Sequence, residues 1–158
     1  MRQIDRALAE SIGLIQHDAL DAATKGFEDA STEVFGDNVK FDEQNAQGDS
    51  ATCATINNGF VSNNDDFILA IATAALQAAA AGTDTIPILG TSVTDYGVAL
   101  DIDNFDGTVG GNISGTADLA PLDGQADMLH ELFPDAKKIG LLYCSAEANS
   151  KFQFDTIK

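Results

Sequence analysis

The chain has 158 residues, enough to bury one good core, and its 44% hydrophobic content with 7% aromatics and no Trp describes a globular domain packed mainly with aliphatic side chains. Eight Lys and Arg stand against 25 Asp and Glu, a formal charge of -17. Such a field repels phosphates and anionic lipid, so nucleic acid and membrane surfaces drop out as partners, while small ligands respond to the local field of a pocket. Excess Asp with little Lys also suits a salty environment.

The two cysteines, Cys53 and Cys144, lie far apart with no CxxC spacing, which argues against a disulfide framework or a structural zinc site. No apolar run reaches the roughly 18 to 20 residues that span a bilayer. Residues 1–10 lack the apolar stretch of a signal peptide and read as an N-terminal extension.

In chain order, residues 11–16 carry Ile12-Gly13-Leu14-Ile15, the pattern of a buried strand. Asp18 then caps a helix with Leu20, Ala23 and Phe27 on its apolar face. Val39 to Asn45 alternates as a strand, with Val39 and Phe41 inward and Lys40 and Asp42 outward. The loop 47–50 ends in an N-cap and opens a helix that buries Cys53, Ile56 and Phe60. Asn63-Asn64-Asp65-Asp66 breaks it, and residues 67–72 form the clearest buried strand.

From Thr73 an Ala-rich helix runs to Gly82. A fourth strand is expected over 86–89, a polar turn over 90–95, an exposed loop over 101–111 and a fifth strand over 112–116. Leu122, Ala126, Leu129 and Phe133 mark the stripe of a further helix, which Pro134 stops. Residues 139–143, Ile-Gly-Leu-Leu-Tyr, then read as a short buried strand, and the polar loop 144–150 opens another helix.

Strand and helix alternate throughout, which specifies an α/β fold: a doubly wound parallel sheet with helices on both faces. The layer spans residues 11–118, and 119–158 form a crossover into a second, incomplete layer. In such a sheet the carboxyl ends of the strands face helix starts, and ligands bind there. The candidate ligand-binding residues are therefore those that follow strands: His17, Asp18, Gln47, Thr73, Thr91, Ser92, Asp95, Asp118, Ser145, Glu147 and Asn149. Hydroxyls and free amides at helix starts suit a carboxylate, and Asp95 or Glu147 suits an ammonium group.

Other chemistries fit poorly. Ser145 lacks a G-x-S-x-G context, and Cys144 has no His near it in sequence. The acidic run 101–107 places Phe105, Asp106 and Asn112 where a calcium loop needs an oxygen ligand, Gly and Glu. The Gly-rich 107–111 precedes a strand instead of joining strand to helix, so it is no dinucleotide fingerprint. No metal or other cofactor is expected.

Several segments in order carry a family likeness: Ile12-Gly13-Leu14-Ile15-Gln16-His17, Ala19-Leu20-Asp21-Ala22-Ala23-Thr24-Lys25-Gly26-Phe27, Asn45-Ala46-Gln47-Gly48-Asp49, Ala70-Ile71-Ala72-Thr73, Thr91-Ser92-Val93-Thr94-Asp95, Gly115-Thr116-Ala117-Asp118, Leu132-Phe133-Pro134-Asp135-Ala136-Lys137-Lys138-Ile139-Gly140 and Ser145-Ala146-Glu147-Ala148-Asn149-Ser150. Together they resemble the ABC-transporter substrate-binding proteins linked to tryptophan and tyrosine uptake. The resemblance implies a two-lobed periplasmic-binding-protein fold, ligand held between lobes without chemistry, an extracytoplasmic location and an ABC permease as partner. It implies an aromatic or apolar amino acid as ligand, with this chain supplying the first lobe and the start of the second.

Two rival readings remain on the residues alone. One is a ligand-sensing lobe like those of sugar-responsive repressors, against which stand the charge and the lack of a helix-turn-helix. The other is a small α/β hydrolase or isomerase using His17 and Asp95. An incomplete second layer also predicts a homodimer or strand exchange through residues 139–143.

Overall fold

In the computed structural model, residues 7–13 and 17–158 are described, the first seven as backbone. Five strands form one all-parallel sheet in the order β2-β1-β3-β4-β5. They are β1 (Ala7–Gly13), β2 (Val39–Asn45), β3 (Phe67–Ile71), β4 (Ile88–Val93) and β5 (Ile113–Ala117). The helices are α1 (Asp18–Phe35), α2 (Ser50–Asn63), α3 (Thr73–Gly82), α4 (Tyr96–Leu100), α5 (Leu122–Leu132) and α6 (Ala148–Ile157).

The chain steps from β1 outward to β2, then returns past β1 to β3 and continues to β4 and β5. Right-handed crossovers put steps in opposite directions on opposite faces. Accordingly α1 covers one face, where the Phe27 ring meets Phe67 of β3 edge-on at 5.7 Å. On the other face α2 and α3 pack against each other and enclose Cys53, Phe60, Ile68, Ala70, Leu76, Ala79 and Ile88 in the main core. Parallel strands buried on both faces need apolar residues at successive positions. Residues 68–71 of β3, all buried, meet that requirement.

Four boundaries differ from the sequence expectation. β1 begins at Ala7, inside the expected extension, and pairs in register with β2 from Ala7↔Val39 to Gly13↔Asn45; Leu14 to Gln16 lie outside the described residues. β4 runs Ile88–Val93, so the expected polar turn is largely strand, and the short α4 follows it. Thr91 stays in the strand because it pairs with Ile71 of β3, and Thr91 and Ser92 lie within a shift of the β4–β5 register between Gly90 and Val93. His17, not Asp18, caps α1, and Asp49 caps α2.

The fourth difference is the larger one. Residues 139–143 form no strand, and Leu142 is fully exposed while Ile139 is 57% exposed. An apolar run becomes a strand only when another strand satisfies its N–H and C=O groups. No described strand pairs with this one. The helix expected after it does form, as α6, and packs against α4 and α5.

Candidate functional site

Because all five strands run the same way, their carboxyl ends share one edge. Gly13 lies level with Asn45 of β2 and Ile71 of β3, Ile71 with Thr91 of β4, and Val93 with Ala117 of β5. His17, Asp18, Gln47, Thr73, Thr91, Ser92, Asp95 and Asp118 therefore gather on one rim. The order of strands reverses between β1 and β3, and a crevice opens at such a switch point. Its two banks are the start of α1, with His17 and Asp18, and the start of α3, with Thr73.

The two banks differ in chemistry. At α1, His17 Nδ1 accepts from the Ala19 amide at 3.2 Å, and the His17 carbonyl accepts from Leu20 and Asp21. Asp18 and Asp21 add negative charge to that first turn. At α3 no side chain caps the helix, and no acid lies in its first turn. The cap position is Ala72, at φ 76° and ψ 163°, a region that glycine tolerates and a Cβ does not. It is held there by its own N–H, which donates to the Thr91 carbonyl at 3.0 Å, and by its carbonyl, which accepts from Leu76 at 3.1 Å. Thr73 is 5% exposed and its hydroxyl has no hydrogen-bond partner.

Further along the rim, β4 and β5 carry a hydroxyl ladder. Thr91 and Thr116 hydroxyls lie 3.3 Å apart, and Ser92 sits at φ 55°, turned by the irregular β4 register. The Tyr96 hydroxyl donates to the Thr116 carbonyl at 3.4 Å and lies directly over Gly90 and Gly115. Burial, then the nearby Asp118 carboxylate, raises the Tyr96 phenol above its ordinary range. Asp95 is occupied as the α4 cap, accepting from Val98 at 2.8 Å. Gln47, at φ 53°, is exposed, and its amide donates to Asn45 Oδ1 at 2.8 Å.

Ser145, Glu147 and Asn149 come from the approach to α6 and not from the sheet. Glu147 and Asn149 line a cavity of about 250 Å³ with Tyr143, Ser150 and Phe154, whose ring stacks on Tyr143 at 4.2 Å. Ser145 lies in the turn that the Cys144 carbonyl closes by accepting from the Glu147 amide at 3.2 Å. The structure thus brings eight of the eleven expected residues to one rim and leaves three on the neighbouring α5–α6 unit. Sequence reasoning missed Ala72, Tyr96 and Thr116. The paired Gly90 and Gly115 were the available signal for a side chain crossing the strands, since a Cβ at either would meet Tyr96.

His17 Nδ1 and Asp95 Oδ1 each cap a helix, a structural role that accounts for both side chains without acid–base work. Among the described residues no three His, Cys, Asp or Glu side chains gather to hold a metal ion.

A parallel layer with its polar strand ends on one rim is the architecture of a solute-binding lobe. Residues 11–158 match the family model for ABC transporter substrate binding proteins, and the chain belongs to that family. Its members are binding proteins, not enzymes.

Among its relatives, the "Tyrosine-binding protein" of Clostridioides difficile (strain R20291) is 41% identical over 162 residues, covering 99% of this chain and 47% of the relative. A solved structure described as the ABC domain in complex with L-Trp, from Streptococcus pneumonia, is 34% identical with a TM-score of 0.89, over 97% of this chain and 52% of that one. A conserved domain protein from Vibrio cholerae gives 33% and 0.88, over 96% and 52%. The chain thus spans about half the length of these relatives.

Proposed function

We propose that this chain supplies one lobe of the extracytoplasmic receptor of an ABC importer and that the lobe binds an aromatic amino acid at its rim. The observation that carries the reading is the alignment of strand ends on one edge, with a switch-point crevice between His17 and Thr73. The names of the tyrosine-binding relative and of the L-Trp complex support the ligand class. Binding in this reading needs no chemistry: apolar contacts hold the side chain, a few fixed polar groups hold the α-carboxylate and ammonium, and a second lobe closes over both before transfer to the permease. Glu147, the cap position of α6, and Asn149, in its first turn, belong to the closing side.

Titration calorimetry with a panel of amino acids tests the reading. Heat with tryptophan, tyrosine or phenylalanine and none with aspartate or lysine is expected. Absence of binding by every aromatic and branched amino acid removes the ligand assignment and leaves the fold untouched.

The uncovered apolar stretch supports self-association of the 158-residue chain. Ile139 is 57% exposed and Leu142 fully exposed, within a segment that has strand composition and no paired neighbour. Light scattering should report a dimer or larger species, and a monodisperse monomer would count against it.

A further inference from the structure

We infer that residues 139–143 of one copy add as a further strand to the free edge of β5 in a second copy, so that the chain associates head to tail. The inference rests on the self-association reading above and names the surface that receives the stretch. On the donor side, the four large apolar side chains Ile139, Leu141, Leu142 and Tyr143 are each at least 42% exposed. Among the described residues no backbone group of 139–143 is hydrogen-bonded; the bonds nearest to them join Ala136 to Phe133 and Cys144 to Ser150.

Two edges of the sheet are free, β2 and β5. Lys40, Asp42 and Glu43 stand exposed along β2, and such charges keep an edge from recruiting another chain. β5, Ile-Ser-Gly-Thr-Ala, has no charge and no proline, is exposed from Ser114 to Ala117, and has five residues, as the donor does. Its outward groups follow from the ladder. Ile88 donates to the Asn112 carbonyl and Asp118 to the Val93 carbonyl, so the even-numbered residues face β4. Gly115 and Ala117 therefore turn N–H and C=O outward, where a donor strand pairs with them. Beside this edge, α4 and the 101–111 loop leave a groove of about 310 Å³ lined by Tyr96, Phe105, Val109, Ile113 and Gly115. Strand periodicity puts Ile139, Leu141 and Tyr143 on one face, an apolar set for that groove.

Charge sets the orientation. Lys137 and Lys138 immediately precede the donor, in a chain with only eight Lys and Arg. Asp101, Asp103 and Asp106 stand exposed in the loop before β5, which the Gly110–Ile113 bridge holds at the start of that strand. Addition parallel to β5, the sense of the whole sheet, brings both lysines to those carboxylates. Donor and acceptor are different surfaces of one chain, so each contact leaves one of each free, and the product is an open chain of copies instead of a closed dimer.

Sedimentation velocity over a concentration series tests this on the native chain, Ala117→Pro, Ser114→Lys and Leu141→Asp. The native chain should grow beyond a dimer as concentration rises. Each variant alone should need at least about tenfold more protein to associate, the equivalent of about 1.4 kcal/mol. Leu141→Asp keeps its acceptor edge and Ala117→Pro keeps its donor stretch, so an equimolar mixture of the two should form a dimer that grows no further.

A native species that stops at a dimer overturns the inference and leaves the self-association reading standing. So does native-like association of Ala117→Pro or Ser114→Lys, or a mixture that stays monomeric. If Ala117→Pro does not fold, Ser114→Lys takes its place in the mixture. A native chain that is monomeric at every concentration sinks the self-association reading, and this inference with it.

Discussion

Gly115 is where one added methyl should do most damage. A Cβ there would stand 2.7 Å from the Gly90 amide nitrogen and closer still to the Gly90 carbonyl oxygen and the Tyr96 hydroxyl. Two of these three neighbours are backbone of β4, which is hydrogen-bonded on both sides and cannot give way. Relief requires the edge strand β5 to move off, so the cost is that of overpacking, about 1–3 kcal/mol, or more if the β4–β5 pairing is lost. For a chain of this size that is a melting-temperature drop of roughly 2–12 °C.

For Gly90→Ala the three nearest atoms all belong to Tyr96, with its hydroxyl nearest and its ring carbons at 3.0 and 3.2 Å. Tyr96→Phe should therefore recover part of the Gly90→Ala loss and little of the Gly115→Ala loss. Gly26→Ala, in the middle of α1 with open space around it, should instead stabilise by about 0.5–1 kcal/mol. Urea denaturation of the set, read by circular dichroism, is the assay. A Gly115→Ala variant within about 0.5 kcal/mol of the native protein, the range of neutral surface changes, would refute the close-packed reading of the rim.

Thiol labelling of the native protein near pH 8 should modify exposed Cys144 quickly and Cys53 only after unfolding, since Cys53 is buried and its burial raises the thiol above its ordinary 9.0. The folded state also holds the Cys53 and Tyr96 protons above the ordinary 9.0 and 10.0, so the unfolded chain releases them first. Their contribution is complete below pH 9 and falls as pH rises through the alkaline range; a denaturation midpoint that rises from pH 8 to 10.5 would contradict this.

Salt should stabilise the protein. The net charge is -17, and the two ion pairs between described residues, Lys25–Asp29 and Lys151–Asp155, are exposed. Raising sodium chloride from about 0.1 M to about 1 M shortens the screening length from about 10 to about 3 Å and should raise the melting temperature. A lower one would mean that self-repulsion is unimportant here.

The layer was legible because its signals are local. Buried strands such as 67–72, an Ala-rich helix ending at Gly82 and a stripe from Leu122 to Phe133 each announce themselves within one element. The site was legible to the extent that it follows from strand ends. What escaped depends on neighbours in space. Thr91 and Ser92 look like a turn, yet Thr91 pairs with Ile71 of β3 and the strand runs on to Val93, which pairs with Ala117 of β5. Residues 139–143 look like a strand and are not one, because composition favours extension but only a partner strand supplies the hydrogen bonds. Ala72 gave no sign of its positive φ, since an alanine before a helix carries no mark of strain that the tertiary structure imposes.

If the carboxyl ends of this sheet form one small-molecule surface, backbone amide NMR during titration with L-tryptophan will locate the ligand there. Shifts concentrated at residues 45–49, 72–76, 92–96 and 117–118 are predicted, because these follow strands on the shared rim. Shifts concentrated at the opposite edge, around 64–67 and 85–88, would contradict it.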